Sequence, residues 1–186
     1  FESTMAMRMG TSAHAATLEP HKLVVYRAGT FTDKKGKTRD HSDRRAGEAW
    51  AQFRARKDQP ADAVFVNERE HGIATAISAA LRQADAERRD LDGRPLPLLF
   101  GPGVEREANI RWTRHGRACS STPDARLPGK WIADLKIARS GKPSQCVRAA
   151  TWAGYHAQRE FYAEADAAVL GLPEPTARLF SVVVEP

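Results

Sequence analysis

Cysteine is scarce: Cys119 and Cys146 are the only two in 186 residues. Their spacing fits no zinc knuckle, and without a signal-peptide pattern to imply an oxidising compartment no structural disulfide is expected. No apolar run approaches the length of a membrane span, so no membrane partner is expected and the expected location is the cytoplasm. Internal repeats are absent. Charge of one sign is not strongly in excess either: 29 basic against 23 acidic side chains leave +6, a bias toward polyanions that identifies none. A hydrophobic fraction of 41% is ordinary for one core, so residues 1–186 read as a single domain. The chain opens at Phe1 without a methionine and stops at Pro186 just after a strand pattern. It reads as a fragment at one or both ends.

What is present is concentrated between residues 122 and 162. Thr122-Pro123-Asp124 is followed by Lys130-Trp131-Ile132-Ala133-Asp134-Leu135-Lys136-Ile137-Ala138. In a strand, side chains two apart share a face, so Asp134 and Lys136 point one way and Ala133, Leu135 and Ile137 the other. Arg117 to Leu127 reads as the partner strand, with Pro128-Gly129 as the turn that brings Asp124 toward Asp134. Two converging carboxylates can hold a divalent ion that polarises a phosphoryl oxygen and acidifies a water, and a lysine beside them offsets developing charge. Taken alone, an Asp-x-Lys tripeptide is better explained by a solvent-exposed pair on an edge strand.

Its companions weigh against that reading. A helical pattern runs from about Ser144 to Leu170, with Pro143 near its start and Gly171 and Pro173 at its end. Thr151, Tyr155, Gln158 and Tyr162 fall on one face of it, which would make a polar wall beside the strand, while Arg159, Glu160 and Glu164 lie mostly elsewhere. Upstream, His14 lies in a helix of small residues, Met5 to Leu18; a lone histidine there is more often a packed or capping residue than a ligand, and as a ligand its second nitrogen would need a partner. His21, His41, His71 and His115 read as surface or loop residues, and His156 as support for its helix. Lys34, Lys35, Lys37, Arg39, Arg44 and Arg45 form a basic stretch that reads as a mobile loop leading into a helix. It is either a solvated surface or a phosphate-contacting edge. Glu68 to Arg89 reads as an amphipathic helix on Ile73, Ile77 and Leu81, Arg94 to Gly103 as a loop, and Arg178 to Glu185 as a final strand.

These motifs together carry a family resemblance. Pro123-Asp124, Asp134-Leu135-Lys136 and Gln158-Arg159-Glu160-Phe161-Tyr162 resemble the PD-(D/E)xK nucleases, in their RecB-like branch. Gly10-Thr11-Ser12-Ala13-His14-Ala15-Ala16-Thr17-Leu18-Glu19-Pro20, Tyr155-His156-Ala157-Gln158 and the Trp50/Phe53 pair are similar to the nuclease domain of the RecE-type exodeoxyribonucleases (exodeoxyribonuclease VIII). The resemblance runs from Met9 to the end of the chain, with a variable middle near 58 to 103. It implies an α/β fold: a mixed sheet with an antiparallel meander over about 105 to 138, a last strand near 179 to 184, and flanking helices. It also implies a 5′-to-3′ exonuclease that digests one strand of linear double-stranded DNA from its ends, leaving 3′ single-stranded tails for phage-type recombination.

Residue by residue, the resemblance makes His14, Glu107, Asp124 and Asp134 metal ligands. Lys136 becomes the catalytic lysine, and Gln158 and Tyr162 the helix that supports the site. Glu105 has the same strand parity as Glu107 and could replace it. Arg44, Arg45, Arg148 and Tyr155 are the expected DNA contacts, with Arg148 and Arg139 as candidates for gripping a terminal phosphate. Where relatives often carry arginine before Pro-Asp, this chain has Thr122. The implied cofactor is Mg2+, with Mn2+ as substitute. An iron–sulfur cluster of the kind one RecB-like branch carries needs four cysteines and is not expected. A homo-oligomer and a single-strand annealing protein are the implied partners. Two other readings stand beside this one: a RecB-like structure-specific endonuclease or single-strand nuclease, and a DNA-end-binding module without turnover.

Overall fold

The computed structural model describes residues 5–137, 142–152 and 154–184. It is mixed α/β and separates into two compact units, Phe1–Ser78 and Ala79–Pro186. Among the described residues no helix is long and apolar enough to cross a membrane.

The first unit begins with α1 (Met5–Leu18), whose Ala13, Ala15, Ala16 and Leu18 are buried. Two hydroxyls are buried with them. Ser12 donates to the Arg8 carbonyl and Thr17 to the Ala13 carbonyl, one turn back, which satisfies both groups inside the packing. Pro20 opens a short 3-10 turn after α1, where a missing N–H costs nothing. The strands β1 (Leu23–Val25), β2 (Gly29–Thr32) and β3 (Thr38–His41) follow, then α2 (Gly47–Arg54) and β4 (Val64–Val66). β1 and β4 pair in parallel.

The basic stretch is the expected loop only in part: Lys34, Lys35 and Lys37 lie in the turn of an antiparallel β2–β3 hairpin, Arg39 is on β3, and Arg44 and Arg45 lie in the irregular segment that leads into α2. The Asp33 carboxylate closes the hairpin turn by accepting the N–H groups of Lys35 and Lys37, and Gly36 takes the left-handed backbone the turn requires. His41 is half-buried rather than on the open surface. Its ring stacks on Tyr26 at 5.2 Å and its Nδ1 lies 3.0 Å from the Tyr26 hydroxyl. Tyr26, 2% exposed, also packs on Trp50 and Phe53, so an aromatic cluster is the core of this unit.

α3 (Glu68–Glu87) starts at a reciprocal cap: Asn67 Oδ1 accepts the Glu70 N–H, and Glu70 accepts the Asn67 N–H. Its last turns belong to the second unit. There the buried Asp85 carboxylate accepts the N–H groups of Leu98, Leu99 and Phe100, which ties the proline-rich segment to the helix.

Six strands and two helices complete the second unit: β5 (Glu105–Arg106), β6 (Ile110–Arg114), β7 (Arg117–Ser121), β8 (Ala125–Leu127), β9 (Trp131–Ile137), α4 (Pro143–Trp152), α5 (Tyr155–Leu170) and β10 (Arg178–Val184). The sheet order is β10-β9-β8-β5, with β9 parallel to β10 and antiparallel to β8. The meander is thus interrupted. Arg117 to Leu127 is two strands, because Pro123 lacks the N–H a continuous ladder needs, and β7 pairs with β6 in a separate hairpin. That hairpin turns through His115 and Gly116, both at positive φ, as a two-residue turn matched to strand twist demands. β9 is covered on both faces: Ile132, Ala133, Asp134 and Leu135 are all buried. The helix expected from Ser144 to Leu170 is also two, α4 and α5, separated at Gly154, whose φ is 68°.

Candidate active site

The site lies in the second unit, where β8, β9 and α5 meet. Asp124 comes just before β8; its Oδ2 accepts the Leu135 N–H at 2.6 Å, so the backbone of β9 fixes one oxygen of this buried carboxylate. Asp134, 2% exposed, projects from the middle of β9. Strand parity puts Lys136 on the same face, and its Nζ lies 2.7 Å from Asp134 Oδ2. The pair is in ionic contact, yet that buried oxygen has no hydrogen bond of good geometry. Burial pushes the Asp134 carboxyl above the ordinary range; Lys136 and Arg159 pull it back while the neighbouring Asp124 carboxylate pushes it further.

Helix α5 closes the other side. Gln158 Oε1 is 3.5 Å from Lys136 Nζ, Gln158 Nε2 donates to the Tyr162 hydroxyl at 2.8 Å, and that hydroxyl reaches the Thr122 carbonyl at 3.4 Å. The result is a chain of contacts from the lysine back to the turn that carries Asp124. Tyr155 packs its ring 4.2 Å from Lys136 Nζ, a cation–π contact. Burial, with the charges of Asp124, Asp134 and Glu107 around it, raises the Tyr162 phenol and keeps it protonated. Asp166 holds α5 in register: it accepts from Arg126 of β8 and from the Gly129 N–H of the β8–β9 turn.

Of the two glutamates before β6, Glu105 is committed to Arg126 at 2.8 Å. Glu107 is the one tied to Asp124, through its backbone. Its N–H donates to the Asp124 carbonyl, its backbone takes a positive φ of 49°, and its charge acts on Tyr162. The structure therefore brings together Glu107, Asp124, Asp134, Lys136, Tyr155, Gln158 and Tyr162. Thr151, on α4, belongs to a different helix from the other members of the expected face, and His156 is exposed. Arg148 is exposed on α4, and Arg139 lies outside the described residues.

His14 belongs to the first unit, half-buried on α1, with a ring nitrogen within 4.8 Å of a Glu19 carboxylate oxygen. Arg45 is committed internally, donating to Glu70 at 2.7 Å and to the Phe65 carbonyl, whereas Arg44 is exposed beside it. Two residues escaped the sequence reading. Glu19, in the Leu-Glu-Pro segment, supplies the acid next to His14; its sequence signal is proximity, five residues on and just past the end of α1. Arg159, expected away from the site face, acts on Asp134 and donates to the Leu179 carbonyl of β10, a placement set by parallel pairing that no local period reports.

Two buried carboxylates, one with an oxygen lacking a well-formed hydrogen bond, make an oxygen donor set that suits a hard divalent cation, and the clamped Lys136 ammonium lies beside them as a separate positive charge. No protein-family model matches the chain, and no curated protein matches it.

Proposed function

We propose that this protein is a metal-dependent DNA exonuclease with a PD-(D/E)xK core that digests one strand of linear duplex in the 5′-to-3′ direction. The observation that carries the reading is the Asp134–Lys136 pair, 2.7 Å apart on a buried strand with the Asp124 carboxylate tied to the same strand. An exposed edge-strand pair would not account for burial of both aspartates. Polarity and the role in recombination come from the resemblance of the ordered motifs from Gly10 to Tyr162.

Asp124 and Asp134 would hold the ion, with Glu107 as a third acid, as the resemblance implies. When bound, Mg2+ supplies Lewis-acid activation of a phosphodiester and of a water. The chain's own contribution is positional. Lys136 is held by Asp134, Gln158 and the Tyr155 ring, so its charge is directed at one place and can offset negative charge that develops on the phosphate. The Gln158–Tyr162–Thr122 chain keeps the lysine and the Asp124 turn at fixed separation, which limits reorganisation during the reaction. Protonated Tyr162 donates to the Thr122 carbonyl and does not act as a base. Arg44 and Arg148, both exposed, are cations suited to the DNA backbone.

The test is a linear duplex labelled separately at its 5′ and 3′ ends, incubated with Mg2+ and, in parallel, with Mn2+. The 5′ label is expected early as mononucleotide, with the complementary strand surviving as long single-stranded product. Early loss of the 3′ label, or rapid cutting of covalently closed circles, would point instead to an endonuclease or single-strand nuclease. Binding without any cleavage would leave an end-binding module.

A further inference from the structure

The first unit holds a cleft of about 600 Å³ that the catalytic reading does not use, lined from α1, the segment before α2, α2 itself, β4 and α3. Seven of its twelve lining residues are charged, five of them arginines, so it does not resemble the mainly apolar pockets that take small organic ligands. Its two carboxylates are Asp43 and Glu70, which leaves an excess of three positive charges.

The arginines divide into two sets. Arg45 is engaged by Glu70 and the Phe65 carbonyl, and Arg8 approaches the same Glu70 at 3.8 Å. Glu70, which also caps α3, is thereby committed to its own helix start and to these two arginines. The second set is Arg44, Arg54 and Arg69, each exposed and none in an ion pair among the described residues. Arg54 is supported from the side, its guanidinium 5.8 Å from the Trp50 ring and 6.0 Å from the Phe65 ring. A guanidinium stacked in this way keeps its in-plane N–H groups for an acceptor. Three exposed guanidiniums around one open cleft, one of them stacked, match closely spaced phosphate oxygens.

We infer that this cleft is a phosphate-binding groove for the DNA backbone, in which Arg44, Arg54 and Arg69 make the contacts and the Arg45–Glu70 pair is the strut that holds the groove open. The identity of the polyanion rests on the nuclease reading, whereas the groove itself rests on the arrangement of the arginines. Arg69, on α3, has no role in the resemblance.

The experiment uses the full chain and a short fluorescent duplex, with chelator present so that nothing is cut, and follows binding by anisotropy over a range of salt. Removing one cation that neutralises a phosphate lowers the slope of log K against log salt by about 0.9, so Arg44→Gln/Arg69→Gln is expected to flatten it by about 1.8. Arg44→Lys/Arg69→Lys should restore most of the slope, which separates an effect of charge from an effect of structure. Lys57→Gln removes an exposed cation of the same unit outside the cleft and should leave the slope unchanged. The inference is overturned if the glutamine double variant keeps the wild-type slope, if Lys57→Gln flattens it as much per charge, or if the lysine double variant stays as flat as the glutamine one. Cleavage with an unaltered slope would count against the groove alone; a flattened slope in a protein that cuts nothing would count against the nuclease reading alone.

Discussion

Asp134 shows how the site stores unfavourable electrostatics. Its carboxyl is raised above the ordinary value because burial and the Asp124 charge outweigh the attraction of Lys136 and Arg159. A carboxylate with a raised folded pKa contributes most to stability when protonated. That contribution is lost as pH climbs from the ordinary aspartate value near 3.8 through the raised folded value, and at neutral pH the full cost is present. Asp134→Asn removes it. In chelator at neutral pH the variant is expected to melt above wild type, on a scale where about 1 kcal/mol moves the midpoint by about 2–4 °C. The difference should shrink as pH falls below the carboxylate range, and added Mg2+ should raise the wild-type midpoint while leaving the variant's unchanged. Thermal melts over pH, with and without the ion, measure all three. A variant that melts lower at neutral pH would mean that Lys136 and Arg159 dominate.

Among the elements, β9 and α5 do most of the positioning, and they differ in how far the sequence reveals them. The period-2 pattern of Trp131 to Ile137 is explicit, and so is the shared face of Asp134 and Lys136. Its place as an interior strand is not, because that depends on β10 arriving in parallel beside it from more than forty residues away. The helix break is a different case. Gly154 sits inside an apolar pattern that continues on either side, and periodicity alone reads through it. Its φ of 68° is what redirects the chain so that Tyr155, Gln158 and Tyr162 start a new helix over the site. Among the described residues no atom beyond its chain neighbours lies within 4 Å of where a Cβ would go, so Gly154→Ala tests backbone conformation without a steric clash. It should cost about 1 kcal/mol, the penalty for a left-handed alanine, read as a lower denaturant midpoint at unchanged m. An unchanged midpoint would show that the two helices can join without strain.

At the scale of the whole chain, the α/β class was legible from the motif order and the strand and helix periods, while the division into units Phe1–Ser78 and Ala79–Pro186 was not. Composition does not change across residue 78, and α3 spans the boundary with one uninterrupted pattern. The aromatic cluster around Tyr26 was hidden for a related reason. Its members come from the end of β1, the β2–β3 hairpin, α2 and β4, each contributing one or two rings that look incidental in sequence. The candidate site was more legible because Asp124, Asp134, Lys136, Gln158 and Tyr162 lie within forty residues on adjacent elements. Arg159 depends on packing that local pattern does not encode, whereas Glu19 is placed by its nearness in sequence to His14. The most direct test of the central claim compares wild type with Asp134→Asn on linear duplex DNA, measuring acid-soluble nucleotide release in Mg2+ and in chelator alongside DNA binding. Wild type should release nucleotides in Mg2+ only, and the variant none in either while binding DNA as wild type does; release by the variant at the wild-type rate, or by wild type in chelator, would contradict a metal-dependent site built on this carboxylate.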